Sequence, residues 1–154
     1  MAKKLFLIAS IVILLFSCTY DTLEDKNSDS ALVIKTGTAC GWCTLNDTLT
    51  ISGNTVRYVN CANCSNVSPT VSKTGTLSDT ELEALHASLN FSELQKLDLN
   101  SCNVCFDGCD DWIQVTSGTE SHYIRFGGSE TELQPIKAFI GQISLIKAKY
   151  TGEN

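Results

Sequence analysis

Seven of the eight cysteines in this 154-residue chain fall in three short clusters, and any fold must bring those clusters into chemically sensible company. They are Cys40-x-x-Cys43, Cys61-x-x-Cys64 and Cys102-x-x-Cys105-x-x-x-Cys109. Such spacings serve structural disulfides, a thiolate metal site or a redox dithiol, and the compartment decides among them. The eighth cysteine, Cys18, stands apart near the N-terminus and bears on that compartment.

Lys3 and Lys4 form a short positive region, followed by an apolar run over residues 5–16 broken only by Ser10. The run is shorter than the about 20 apolar residues a membrane-spanning helix needs, and it fits the core of a secretory signal. It ends Leu15-Phe16-Ser17-Cys18, which resembles a bacterial lipobox, with Phe16 bulkier than the usual residue at its position. The resemblance implies cleavage before Cys18, acylation of that residue and stable anchoring by several acyl chains. Thr19 rather than Asp after the lipid cysteine implies sorting to the outer membrane. The signal peptide is thus expected at residues 1–17, and a lipidated acidic tether, too polar to fold, at 18–30. Acidic residues directly after the lipid cysteine also resemble the surface-export signals of some Gram-negative lineages. Asp21-Thr22-Leu23, Asp29-Ser30-Ala31 and Asp47-Thr48-Leu49 resemble an O-glycosylation triplet of such lineages.

The rest of the chain alternates short apolar stretches with turn signals. A buried strand is expected over 31–35. Leu49-Thr50-Ile51 and Val56-Arg57-Tyr58-Val59 flank Gly53-Asn54, a two-residue hairpin signal. The Ser/Thr-rich stretch 65–76 reads as a connection; Val67 and Val71 offer an edge strand as the alternative, which Pro69 demotes. Ser78 with Glu81 is a capping box, and Leu82, Leu85 and Leu89 trace one helical face. Phe91, Leu94 and Leu97 continue that face after a kink. A second strand pair is expected at 112–116 and 123–126 around Ser117-Gly118-Thr119-Glu120. A last helix starts near Pro135, buries Ile136, Phe139, Ile140, Ile143 and Ile146, and ends with Lys147 and Lys149, where cations are favoured.

The order β-ββ-α-ββ-α predicts an α+β domain over 31–150 with a tail at 151–154: a two-layer antiparallel sheet with two helices packed on one face. The pattern resembles a group of small uncharacterised bacterial secreted domains. The resemblance rests on Cys40-Gly41-Trp42-Cys43, Ile51-Ser52-Gly53 through Tyr58, Ser78, Asp107-Gly108 and Pro135. That group implies no activity, and the cysteines at 61, 64, 102 and 105 depart from its pattern.

With Cys18 assigned to lipid, the disulfide candidates are Cys40, Cys43, Cys61, Cys64, Cys102, Cys105 and Cys109, an odd number. If Ser52 faces Thr55 across the hairpin, the register places Cys43 opposite Cys64 and brings Cys40 and Cys61 to the same end. Export to an oxidising compartment favours disulfides. Cys40, Cys43, Cys61 and Cys64 also have zinc-ribbon spacing, so a tetrathiolate zinc site is the metal alternative. Cys40-Gly41-Trp42-Cys43 looks superficially like a thioredoxin-type motif, though strand residues rather than a helix follow it.

Other signals are sparser. Asp107, Asp110 and Asp111 lack the alternating ligand spacing of a calcium loop and read as an acidic turn. His86 and His122 have no nucleophile beside them in sequence, and they read as structural or surface residues. Trp42 and Trp112 flank cysteines, where packing in the core or over disulfides is expected; the loop position of Trp42 also fits an anchor for a partner. A formal charge of −6 argues against nucleic acid, and losing Lys3 and Lys4 with the leader makes it two units more negative. There is no nucleophile elbow, phosphate loop or HExxH motif.

These readings converge on a lipid-anchored envelope protein whose disulfide-stabilised domain is a non-catalytic binding or structural module. The alternatives are a zinc-binding cysteine-rich domain and a thiol–disulfide oxidoreductase. The expected partners are the membrane, through the anchor, and a protein or small-molecule ligand. No cofactor is expected, zinc being the alternative.

Overall fold

A computed structural model describes residues 32–61, 71–128 and 131–152. The expected signal peptide, Cys18 and the tether lie outside the described residues. The chain forms a six-stranded antiparallel sheet with helices, a mixed α+β fold. The elements are β1 (Val33–Cys40), β2 (Asp47–Ser52), β3 (Thr55–Asn60), β4 (Val71–Thr76), α1 (Asp79–Ser88), α2 (Phe91–Leu94), β5 (Cys109–Ser117), β6 (Glu120–Phe126) and α3 (Lys137–Thr151). Short 3-10 turns cover Gly41–Cys43, Asn103–Phe106 and Thr131–Ile136. The sheet order is β4-β3-β2-β1-β5-β6, so the pairing of β1 with β5 joins a four-stranded meander, β1 to β4, to the β5–β6 hairpin.

Two features of this order correct the expected β-ββ-α-ββ-α. First, residues 71–76 form a strand, β4, paired with β3 from Thr55 opposite Thr76 to Asn60 opposite Val71. Pro69 precedes this strand rather than interrupting it. As an edge strand, β4 leaves Ser72, Lys73 and Thr74 exposed, so it has no apolar alternation to read. Second, Phe91–Leu94 is a separate one-turn helix, capped by Asn90, whose side chain accepts from the backbone N–H of Glu93. Strands β1, β5 and β6 are also longer than their apolar cores, β1 running through Thr and Gly positions, β5 through Asp and β6 through Glu, Ser and His.

The local reasons are those the residues carry. Ser78 and Glu81 make a reciprocal capping box at the start of α1. The β2–β3 hairpin turns at Gly53, whose φ of 56° suits a residue without Cβ. Its register holds from Ser52 opposite Thr55 to Asp47 opposite Asn60, and the N–H of Cys61 still reaches the carbonyl of Asn46.

Cross-strand partners lie on the same face, so burial sorts the sheet. Ile34, Leu49, Ile51, Val56, Tyr58, Ile113, Val115, Ile124 and Phe126 form the inner face. They join Leu85, Leu94, Ile136, Phe139, Ile143 and Ile146 from the helical segments in one core cluster. At one end of this face Lys147 of α3 reaches Asp47, at 2.8 Å. Among the described residues, no helix is long and apolar enough to cross a membrane.

Candidate binding surface

The site is built where β1 ends and β5 begins. Cys40 and Cys109 face each other across these strands and are joined by a disulfide. A second disulfide, Cys102–Cys105, closes the turn that precedes β5. The N–H of Gly41 donates to the carbonyl of Gly108 at 2.8 Å, and the N–H of Cys40 to that of Leu45 at 2.8 Å. The turns 41–43 and 103–106 are thus clamped side by side. Gly41 permits the approach: a Cβ there would stand 2.7 Å from the Cα of Asp107.

Asp110 locks the second turn. Its side chain is wholly buried, and it accepts from the Ser101 hydroxyl at 2.6 Å and from the backbone N–H groups of Asn103 and Val104 at 3.1 and 3.0 Å. Burial alone would raise its pKa. The hydrogen bonds from Ser101, Val104 and Asn103, together with the charge of Arg125, outweigh burial and hold it below its ordinary value of 3.8. Arg125 also donates from Nε to the carbonyl of Ser101 at 2.7 Å. The acidic turn read from sequence is therefore a structural hub at Asp110. Asp107 takes a left-handed conformation (φ 63°) that ends the turn, and Asp111 accepts from the Thr38 hydroxyl.

Two large apolar side chains stand out of this clamp. Trp42 is 82 % exposed and Phe106 is 87 % exposed. Trp42 is not in the core or shielded over a disulfide, which corrects the expectation for it. The reason lies in the backbone: the turn bends at Trp42 with φ 54° and ψ 13°, a left-handed conformation costly for a bulky residue. Sequence reasoning misses Phe106. A signal exists, since a phenylalanine between Cys105 and Asp107 has no periodic apolar neighbours to pack with. Trp112, by contrast, is half-buried and stacks on Tyr123 with ring centroids 6.1 Å apart.

The cysteine readings resolve in part. Cys40 pairs with Cys109, not with Cys43, so the thioredoxin-like dithiol is not what Cys40 forms. Its sulfur is likewise not a thiolate donor for the Cys40, Cys43, Cys61, Cys64 zinc set. Cys61 carries a free thiol. Cys64 and the side chain of Cys43 lie outside the described residues, and with them the expected facing pair. No group of three or more His, Cys, Asp or Glu among the described residues is placed to hold a metal ion. His122 hydrogen-bonds through Nε2 to the carbonyl of Leu97, a structural role.

A separate groove of about 260 Å³ opens between β1, β5 and α3, lined in part by Thr38, Asp111, Phe126, Ile140, Ser144 and Lys147. Its cation is neutralised in place: Lys147 donates to Asp47 and to the Thr38 hydroxyl, and the Tyr58 hydroxyl donates to Asp47. No protein-family model matches the chain, and no curated protein matches it.

Proposed function

We propose that this chain is a lipid-anchored envelope protein, held at an outer membrane through Cys18, whose domain binds a partner through the Trp42–Phe106 tip. The helices form one layer over the inner face of the sheet, and the module performs no catalysis. One observation carries the binding reading: Trp42 is held in a left-handed conformation on a disulfide-clamped turn with most of its surface in water. Glycine or asparagine would fill that backbone position at lower cost, so a tryptophan there is unfavourable to stability and favourable to binding. A rigid aromatic loses little conformational entropy on binding, which is why such side chains anchor interfaces. β1 runs about 25 Å from Val33 to Cys40, so the tip stands at the far end of the strand from its first residue.

Two experiments test this. Cys18→Ala in the full chain should move the protein from the membrane fraction to the soluble one; continued membrane retention would count against the anchor. A photo-crosslinking residue at position 42 in cells should give a discrete adduct that the same residue at exposed position 137 does not. Equal adducts from both positions, or none from 42, would count against the tip.

A further inference from the structure

The outer face of the sheet is distinct from the tip and from the core, and its composition is unlike the rest of the chain. By register, its central row runs Thr74, Arg57, Thr50, Lys35, Gln114, Tyr123 across all six strands. Beside it, Ser72, Val59 and Thr48 are paired across β4, β3 and β2, and Gly37, Trp112 and Arg125 across β1, β5 and β6; a third row contains Thr76, Thr55, Ser52, Val33, Thr116 and Ser121. Three cations and many hydroxyls share this face, and no carboxylate of a described residue is exposed on it. Asp110, the one acidic side chain at an outward position of these strands, is buried beneath the turn it holds. The chain carries a formal charge of −6, yet among the described strand residues the exposed carboxylates lie away from this face.

Lys35 and Arg57 are both exposed, and neither side chain makes a hydrogen bond or an ion pair with any described residue. The other lysines and arginines near carboxylates are engaged: Lys96 with Glu93, Lys147 with Asp47, Lys149 with Glu81. Lys35 and Arg57 sit on β1 and β3 with Thr50 of β2 between them, so their Cα atoms are two strand spacings apart, about 10 Å. Trp112 lies against the backbone of β1, where a Cβ on Gly37 would come within 2.9 Å of its ring. Tyr123 stacks on it at 28° and remains 48 % exposed, on the same row as Lys35.

We propose that this outer face binds an acidic polysaccharide, with Lys35 and Arg57 taking carboxylates along the chain, Tyr123 offering a stacking surface for a sugar ring, and Thr50 and Gln114 hydrogen-bonding hydroxyls between them. Charge complementarity selects an anion, and the aromatic pair with a hydroxyl- and amide-rich floor selects one built of rings and hydroxyls. A nucleic acid fits less well. Its dense phosphate backbone needs clustered cations, whereas here two free ones stand about 10 Å apart on an otherwise acidic protein. The inference does not rest on the lipid anchor or on the aromatic tip.

The test is affinity electrophoresis of the full-length chain in a non-ionic detergent, through native gels containing a polyuronate, neutral dextran or oligodeoxythymidine. The polyuronate should retard the protein in a salt-sensitive way, and dextran should not. Lys35→Gln/Arg57→Gln should weaken the retardation roughly tenfold or more. Tyr123→Ala should weaken it without altering its salt dependence, and Trp42→Ala should leave it intact. Because Lys35 and Arg57 are exposed, the double variant should melt within a few degrees of the parent, separating lost binding from lost fold. The proposal is overturned if the polyuronate does not retard the protein, if the double variant is retarded as strongly as the parent, or if Trp42→Ala abolishes the effect. Equal retardation by oligodeoxythymidine, lost in the same double variant, would also overturn it in favour of a general polyanion surface.

Discussion

The carboxylate of Asp110 accepts a 2.6 Å hydrogen bond from the hydroxyl of Ser101, nine residues earlier, and this bond pins the turn carrying Phe106 to the start of β5. Two backbone donors, from Asn103 and Val104, complete the carboxylate's shell. Asp110→Ala would remove the shared acceptor of three part-buried hydrogen bonds and should cost about 3 kcal/mol, read as a melting temperature lower by roughly 10 °C.

The pH dependence of Asp110 follows from the direction of its pKa. The folded-state value lies below the ordinary one, so the group contributes stability above its unfolded pKa and loses it as pH falls through the folded value. The stability gap between the parent and Asp110→Asn should therefore stay flat from pH 7 to about 5 and close below about 4. Chemical denaturation at a series of pH values measures it. A gap that widens in acid would contradict the assignment.

The two disulfides should contribute unequally, because they restrict the unfolded chain over different lengths. Cys40 and Cys109 are 69 residues apart; Cys102 and Cys105 are three apart. On chain-entropy grounds the first stabilises by about 4 kcal/mol and the second by about 2. Melting of Cys40→Ser/Cys109→Ser against Cys102→Ser/Cys105→Ser should rank them in that order. A reversed order would mean that the short bridge acts mainly in the folded turn.

Lys147 and Asp47 form a 2.8 Å ion pair in which the lysine side chain is 20 % exposed and the aspartate 2 %. Asp47 keeps two further donors, the N–H of Thr38 and the hydroxyl of Tyr58, if the lysine is removed. Among the described residues Lys147 has no second carboxylate partner, keeping only the Thr38 hydroxyl. Asp47→Ala should therefore cost about 3–5 kcal/mol and Lys147→Met less, and the double variant should be more stable than Asp47→Ala alone. Denaturant titration of the four proteins gives the coupling. Simple additivity would mean the pair does not act as a unit.

Elements that announce themselves by local chemistry are legible in the sequence: the capping box at Ser78 and Glu81, the hairpin at Gly53, the buried stripe of α3. The β2–β3 register also follows from the turn, since a two-residue loop fixes every opposed pair behind it. Strand β4 is hidden because an edge strand need not alternate, and the long β1 because Thr36, Gly37 and Thr38 carry no apolar period. The Cys40–Cys109 pairing is hidden for another reason. It depends on β1 lying beside β5, a pairing between segments 69 residues apart that no local pattern encodes. The same long-range pairing sets the turn of Trp42 beside that of Phe106, so the candidate surface cannot be assembled from spacing alone.

Trp42 gives the sharpest test of a side chain kept at the expense of stability. Its φ of 54° costs an L-residue about 1–2 kcal/mol relative to glycine, and an 82 % exposed ring returns little packing energy. Trp42→Gly should therefore match or raise the melting temperature, by up to about 1 kcal/mol of added stability after the larger chain entropy of glycine is counted. Trp42→Ala keeps the backbone penalty and should stay within about 0.5 kcal/mol of the parent. Thermal melts of both variants, beside photo-crosslinking from position 106 in the same backgrounds, separate the two roles. A variant that melts like the parent but no longer yields the adduct identifies Trp42 as an anchor. A drop of several degrees in Trp42→Ala would show the ring to be packed in solution and would withdraw it from the surface.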